Sequence, residues 1–371
     1  MTASHAIVIG GGIIGCATAC ELAAAAGWRV TLVERNRPGA EASSAAAGLL
    51  FSLGDSPELD AFHDLARRSV QLYPRVVAEL RELTGNDVEH VTSGTLYPLL
   101  SAAELADARE RARWPTAADH GIELLEGGAV HEREPALAKD IDAALFVRAD
   151  HFVNNERLVL AYAAAAARRG VEIRSGLEVS RIAVEGGRAR GVVAGGERID
   201  GDAVLLAAGA WSGALAAGLP GALPVAPVKG QMLAVSGSPP LIAHAVHQGD
   251  VYLVPRPSGE LLIGATVEHA GFARDVTPGG LAALINDAVR LVPEIARRPI
   301  TRTWYGFRPW APDGMPILGP WPGVAGLYVA TAHYRNGIVL APITAALMAE
   351  TISTGRAPAL LTPFLPDRFG G

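Results

Sequence analysis

Apolar residues recur along this chain in two rhythms. Short continuous runs sit at residues 6–9, 30–33, 203–208 and 326–332, the first and third followed by glycine. Continuous runs of four to seven predict strands buried on both faces, as in a parallel sheet with helices around it. Between them lie helical patterns: one opening near Ile13, a long one over 59–83, one capped by Asn154 or Asn155 and ended by Gly170, and one over 337–353. Residue 171–173 adds a short strand. The second rhythm is strict alternation. It appears over 92–99, in a hairpin of 178–184 and 188–193 turning at Glu185-Gly186-Gly187, and over 225–235, 251–254, 260–267 and 301–307. Pro257-Ser258-Gly259 turns the middle pair. Residues 102–140 are polar and charged, with a helix predicted near 104–113.

The two textures interleave. The α/β texture occupies 1–80, 140–222 and 306–371, and the alternating texture 81–139 and 223–305. The fold class predicted is α/β: a Rossmann-like dinucleotide-binding domain interleaved with an antiparallel-sheet domain that would hold the substrate.

Composition narrows the class. The chain has 371 residues, 50% of them hydrophobic, enough for a large core. No apolar run approaches the roughly 18 residues of a spanning helix, and the opening residues lack a basic n-region, so neither a membrane span nor a secretory leader is expected. A net charge of −6, with arginines only in isolated doublets, gives no basic face for nucleic acid. Cys16 and Cys20 are the only cysteines. They share one helix face, where they read as small buried residues, which excludes a disulfide framework and fits a reducing cytoplasm. The histidines and acids show no metal-ligand spacing, so no metal is expected.

Gly10-Gly11-Gly12-Ile13-Ile14-Gly15 follows the first strand, and Glu34 closes the second. Gly10 permits the tight turn, Gly12 lets backbone approach a pyrophosphate, and Gly15 lets helix and strand touch. The helix opening at Ile13 and Ile14 aims N–H groups at phosphates. Glu34 is placed to accept from both ribose hydroxyls and to repel a 2′-phosphate.

Four further clusters carry candidate chemistry. Ser43, Ser44, Ala45, Ala46, Ala47 and Gly48 form a small-residue loop, either an ordinary loop or a bed for a flat ring system. Arg308 follows an apolar strand where the chain re-enters the α/β half. It is either a solvated arginine or a bidentate grip on a carboxylate. His333-Tyr334-Arg335-Asn336-Gly337 precedes the last helix, with Asn336 as candidate cap and N–H groups placed to stabilise negative charge. Tyr252 lies on an alternating strand, as a core residue or a ligand contact.

Together these motifs, with Gly-Ala-Trp-Ser-Gly at 209–213, Pro-Val-Lys-Gly-Gln at 227–231, Gly-Ala-Thr at 264–266 and Gly-Phe-Arg-Pro at 306–309, resemble the FAD-dependent D-amino-acid oxidase superfamily, its glycine oxidase branch in particular. The resemblance runs in order along essentially the whole chain. It implies non-covalent FAD held by Gly10, Gly12, Ile13, Ile14, Gly15, Glu34, Arg35, the loop from Ser43 to Gly48, Val179, Ala208, Gly209 and Trp211. His333, Arg335, Asn336, Gly337 and Ile338 would stand at the flavin's pyrimidine end. It implies a substrate carboxylate held by Arg308 and Tyr252, with Arg335 close by.

Three positions depart from the family pattern. Leu49 and Val267 stand where methionines are usual, and Asp250 where histidine is frequent, so the pocket is expected to admit a bulkier amine than glycine. The implied reaction is hydride transfer from the α-carbon of a small amino acid, giving an imino acid that hydrolyses to a 2-oxo acid and ammonia. O2 would take the electrons and yield peroxide. A D-amino-acid or secondary-amine dehydrogenase using another acceptor is the alternative. A role in thiamine biosynthesis and a homo-oligomeric state follow from the resemblance alone.

Overall fold

The structure, a computed structural model, describes residues 3–25, 27–51 and 60–369. Leu59, where the long helical pattern begins, lies outside them.

The first strand, Ser4–Ile9, shows why the α/β half forms. Ala6 and Val8 enter one core cluster and Ile7 and Ile9 another, so both faces of the strand are covered. It sits inside a six-stranded sheet with the order Ile317–Pro320, Leu327–Thr331, Ala203–Leu206, Ser4–Ile9, Trp28–Glu34, Glu172–Ser175. All neighbours are parallel except Ile317–Pro320 with Leu327–Thr331. Helices Ile13–Ala24, Asn155–Arg168, Gly337–Thr354 and Ala61–Thr84 share the cluster on one face. A meander of Val179–Glu185, Arg188–Ala194 and Glu197–Asp200 contributes to the cluster on the other. The predicted hairpin is therefore a three-stranded unit.

The second sheet has eight strands, ordered Ile300–Trp310, Ala226–Ser236, Glu260–Gly264, Val251–Pro255, Ala245–Gln248, Thr95–Pro98, Ala143–Val147, Ile122–Glu126. Helix Pro278–Leu291 packs on it through Leu284, Ala288 and Leu291. The sequence reading gave no helix there, although Thr277 caps it by accepting from the Gly280 N–H at 3.2 Å and Pro278 occupies its first turn. Ala143–Val147, which falls inside the 140–222 block, pairs with Thr95–Pro98 and Ile122–Glu126 and so joins the second sheet. A fully apolar run of five looks the same in either sheet, because its periodicity carries no information about its partner. Ile300–Trp310 pairs with Ala226–Ser236 along its whole length, past the boundary drawn at 305/306.

Among the described residues, helix Gly337–Thr354 is long and apolar enough to cross a bilayer, although no membrane span is expected from the sequence. Here 67% of it is buried in the protein. It is packed against Ile13–Ala24 and Ala61–Thr84 as a core helix.

Candidate functional site

A cleft of about 630 Å³ runs between the carboxyl ends of the parallel strands and the second sheet. Its walls at one end begin with the glycine turn. Gly10 has φ +108°, and a Cβ there would lie 2.5 Å from the Ala207 carbonyl oxygen. A Cβ on Gly15 would lie 1.9 Å from the Gly10 oxygen, so no other residue fits the helix–strand crossing. Gly15 stands behind the cleft, whereas Gly10, Gly12, Ile13 and Ile14 line it.

Glu34 uses both carboxylate oxygens on backbone: Oε2 accepts from the Gly11 N–H at 2.7 Å and Oε1 from the Asn36 N–H at 2.8 Å. This fixes the carboxylate at the cleft wall and leaves a further lone pair on each oxygen. Ser43 Oγ accepts from the Ile13 N–H at 2.8 Å and so caps the first helix. Arg35 places its guanidinium 3.8 Å over the Trp211 ring, and Val179, Ala208 and Gly209 complete this end.

The small-residue loop forms the middle of the wall. Ser43, Ala46, Ala47 and Gly48 line the cleft, but Ser44 does not. The Ser44 carbonyl instead accepts from Asn155 Nδ2 at 3.0 Å, and a second, polar cavity lies behind it. Asn154 is the residue that caps helix Asn155–Arg168, accepting from the Arg157 N–H at 3.2 Å. That leaves Asn155 for the loop.

Arg256, which the sequence reading did not single out, also holds the loop. It is 8% exposed and donates to the carbonyls of Val153 (2.5 Å) and Ala47 (2.9 Å) and to Asn155 Oδ1 (2.8 Å). Burial pulls its pKa down to about 10, against the opposing pull of Glu89, Glu156 and Glu260. The available signal was an arginine placed directly after an apolar strand, in Val254-Pro255-Arg256. From the second sheet, Trp304 Nε1 donates to the Ala45 carbonyl at 3.0 Å. A Cβ on Gly306 would meet Ala45 Cβ at 2.5 Å, so the strand approaches the loop closely.

The far end of the cleft carries Arg308, Tyr252, Arg335, Leu49, Phe51, Met232 and Ala265. Nothing local in the sequence marks Phe51 or Met232, whereas Ala265 belongs to the Gly-Ala-Thr motif at 264–266. Arg308 Nη1 donates to the Thr266 carbonyl at 2.9 Å. Burial raises the Tyr252 phenol's pKa against the opposing pull of Arg308 and Arg335, so it stays protonated. Asp250 stands at the rim, bound to Arg335 at 2.8 Å.

Val267 does not reach the pocket. It is 37% exposed, while its neighbours Ala265 and Thr266 face Arg308. The strand Glu260–Gly264 ends before it, so alternation cannot be extrapolated to its side chain.

His333 lines the cleft and is nevertheless 3% exposed, with Nε2 3.2 Å from Thr344 Oγ1. Burial pushes its pKa down to about 3, so the ring is neutral. Its neighbours Ala332 (φ +58°) and Tyr334 (φ +48°) are both left-handed, a costly backbone for side-chain-bearing residues. Asn336 occupies the N-cap position of Gly337–Thr354 but makes no side-chain cap, contrary to expectation. The first turn, Gly337 and Ile338 included, therefore presents its N–H groups to the cleft without a side-chain cap. From behind, the Tyr73 hydroxyl donates to the Ile338 carbonyl at 2.5 Å.

Residues 5–351 match the family described as DAO, FAD dependent oxidoreductase. The chain belongs to this family. Among its relatives, the glycine oxidase of Pseudomonas aeruginosa is 38% identical over 362 residues, covering 97% of this chain and 98% of that protein. The bifunctional protein ThiO/ThiG of Trichormus variabilis is 38% identical over 98% of this chain, which spans only 55% of that longer protein. The crystal structure of glycine oxidase from Geobacillus kaustophilus superimposes with a TM-score of 0.93 at 34% identity, covering 99% of this chain and 100% of that one.

This DAO-family chain is thus an FAD-dependent oxidoreductase, and the relatives just described include enzymes named for oxidation of an amino acid. The residues present fit FAD. The glycine turn leaves no room for a Cβ, the loop wall is small-sided, and an uncapped helix turn closes the far end. Cys16 and Cys20 are both buried in helix Ile13–Ala24, and neither lines the cleft.

Proposed function

We propose that this enzyme oxidises glycine or another small amino acid to the imino acid, with O2 as final acceptor, using non-covalently held FAD. The observation that carries the reading is the Arg308–Tyr252 pair at the end of the cleft opposite Glu34, where one guanidinium and one phenol face an apolar lining. When bound, FAD supplies the two-electron acceptor. Arg308 and Tyr252 hold the substrate carboxylate by a charge-assisted grip that fixes orientation. Leu49, Phe51, Met232 and Ala265 shield the α-carbon from water. The α-C–H leaves with its electron pair while the nitrogen lone pair forms the C=N bond, and water then releases ammonia and the 2-oxo acid.

Among the described residues lining this end, none is a ready base. His333 is neutral but already bound to Thr344, and Tyr252 is protonated. The amine must therefore react in its neutral form, and kcat/KM should rise with pH as it deprotonates. Likeness to a ThiO/ThiG protein supports a supply role in thiamine biosynthesis, and two buried free thiols accord with the cytoplasm.

The test is to add glycine to the yellow holoenzyme without air and then admit oxygen. Bleaching that reverses in air with release of peroxide supports the reading. A flavin that stays oxidised with glycine, sarcosine, D-alanine and D-proline alike would overturn it.

A further inference from the structure

We infer that Asp250 is a charge filter for the substrate: by occupying Arg335 it leaves Arg308 as the one free cation among the described residues at this end and excludes molecules that carry a second carboxylate. The inference rests on the reading of Arg308 as the carboxylate clamp. Two guanidinium groups stand at the substrate end of the cleft, Arg308 and Arg335. Their environments differ. Arg308 has the carbonyls of Thr266 and Lys229 as acceptors, at 2.9 and 3.4 Å, and among the described residues no carboxylate lies within ion-pair distance of it. Arg335 is paired with Asp250 at 2.8 Å across the mouth of the cleft. Asp250 sits at the turn before strand Val251–Pro255 of the second sheet, and Arg335 on the loop before helix Gly337–Thr354, so the pair bridges the two halves of the molecule.

The other charged groups lining the cleft lie elsewhere. Glu34, Arg35, Glu41 and Glu178 stand at the glycine-turn end, where Arg35 and Glu41 pair at 2.9 Å. Among the described residues, the charge at the substrate end therefore comes to one uncompensated cation, which matches one carboxylate. His247 and Tyr252, which also face the pair, add no charge, and Arg335 lies over the Tyr334 ring. Burial, helped by Arg335, pushes His247 down to about 4, and Tyr252 stays protonated.

A dicarboxylate bound through Arg308 would turn its second carboxylate toward Arg335 and meet Asp250 first. It would have to displace an existing ion pair and approach a like charge, two penalties that a neutral side chain avoids. Asp250 touches neither the clamp nor the reacting carbon. Its removal should change which acids bind without weakening the binding of the smallest one.

The experiment uses the holoenzyme and two acids that have no amine to oxidise, read as perturbation of the flavin absorption spectrum. Glycolate probes the clamp, and malonate probes the filter. In the wild type glycolate should bind at least about tenfold more tightly than malonate. In Asp250→Asn, malonate should gain about tenfold or more, while glycolate changes less than about threefold. Adding Arg335→Gln to that variant should abolish the malonate gain. If malonate binds the wild type as well as glycolate, or if Asp250→Asn shifts both acids equally, the filter is wrong and the clamp stands. If glycolate does not bind, the clamp itself fails and the filter falls with it.

Discussion

The Arg308 guanidinium lies flat against Gly230 on the neighbouring strand, so that a Cβ at Gly230 would stand 2.6 Å from both Nη1 and Nη2. The register pairing Val228 with Arg308 and Gly230 with Gly306 sets this contact. Gly230→Ala should therefore push the clamp aside without removing it. KM for the amino acid should rise about tenfold while kcat falls less, because the carboxylate grip is uniform binding and not part of the bond-breaking step. Arg308→Ala should cost roughly 2–5 kcal/mol of substrate binding. Steady-state kinetics check both, and an unchanged KM in Arg308→Ala would remove Arg308 from the site.

A segment of the second sheet reaches back over the cofactor end. Phe272 stacks on Trp211 with centroids 4.8 Å apart, and Trp211 in turn lies under Arg35. Glu41 binds Arg35 at 2.9 Å and Arg274 at 3.0 Å, while buried Lys229 pairs with Glu268 and Asp275. These contacts tie residues 268–275 down beside the glycine-turn end. Phe272→Ala should weaken FAD binding by about three- to tenfold, the scale of one aromatic stack. The recovery of flavin fluorescence on dilution reports the change, and glycolate affinity of the loaded enzyme should stay as it was.

Gly15→Ala tests the other wall of that end. Its Cβ would sit 1.9 Å from the Gly10 oxygen, a backbone atom that cannot step aside. The variant should purify with little flavin and lose about 1–3 kcal/mol of stability, seen as a lower midpoint in urea. A yellow variant of normal stability would contradict the close approach drawn here.

Acid should destabilise the fold through its buried histidines. Burial pulls His333 down to about 3 and His90 and His247 to about 4, while in the unfolded chain each ionises near the ordinary histidine value of 6.5. Below pH 6.5 the unfolded state binds protons that the folded state refuses, so stability is full above 6.5 and falls as pH drops toward 4. Thermal midpoints measured from pH 8 to 4.5 should show this decline, and His333→Asn should flatten it.

The sequence by itself determined what depends on near neighbours in the chain. The glycine turn, the strand on either side of it and Glu34 lie within 30 residues, and their spacing requires the backbone geometry observed. The capping asparagine of helix Asn155–Arg168 and the turn at Pro257-Ser258-Gly259 are local in the same way. Position raised Arg308 and Tyr252 with an ordinary role open for each, the family resemblance added Arg335, and the tertiary structure brings all three to one end of one cleft.

What the tertiary structure decided are partnerships between distant segments. Ala143–Val147 joins the second sheet because its hydrogen-bonding edges meet Thr95–Pro98 and Ile122–Glu126, a choice its own five apolar residues do not encode. Arg256 matters through Ala47, more than 200 residues earlier, and Asp250 through Arg335, 85 residues later. Val267 turns to solvent because the strand stops at Gly264. Local pattern fixes which face of an element is apolar. Only the packed molecule fixes what that face or edge meets, because the energies of pairing and burial belong to pairs of segments and not to either one alone.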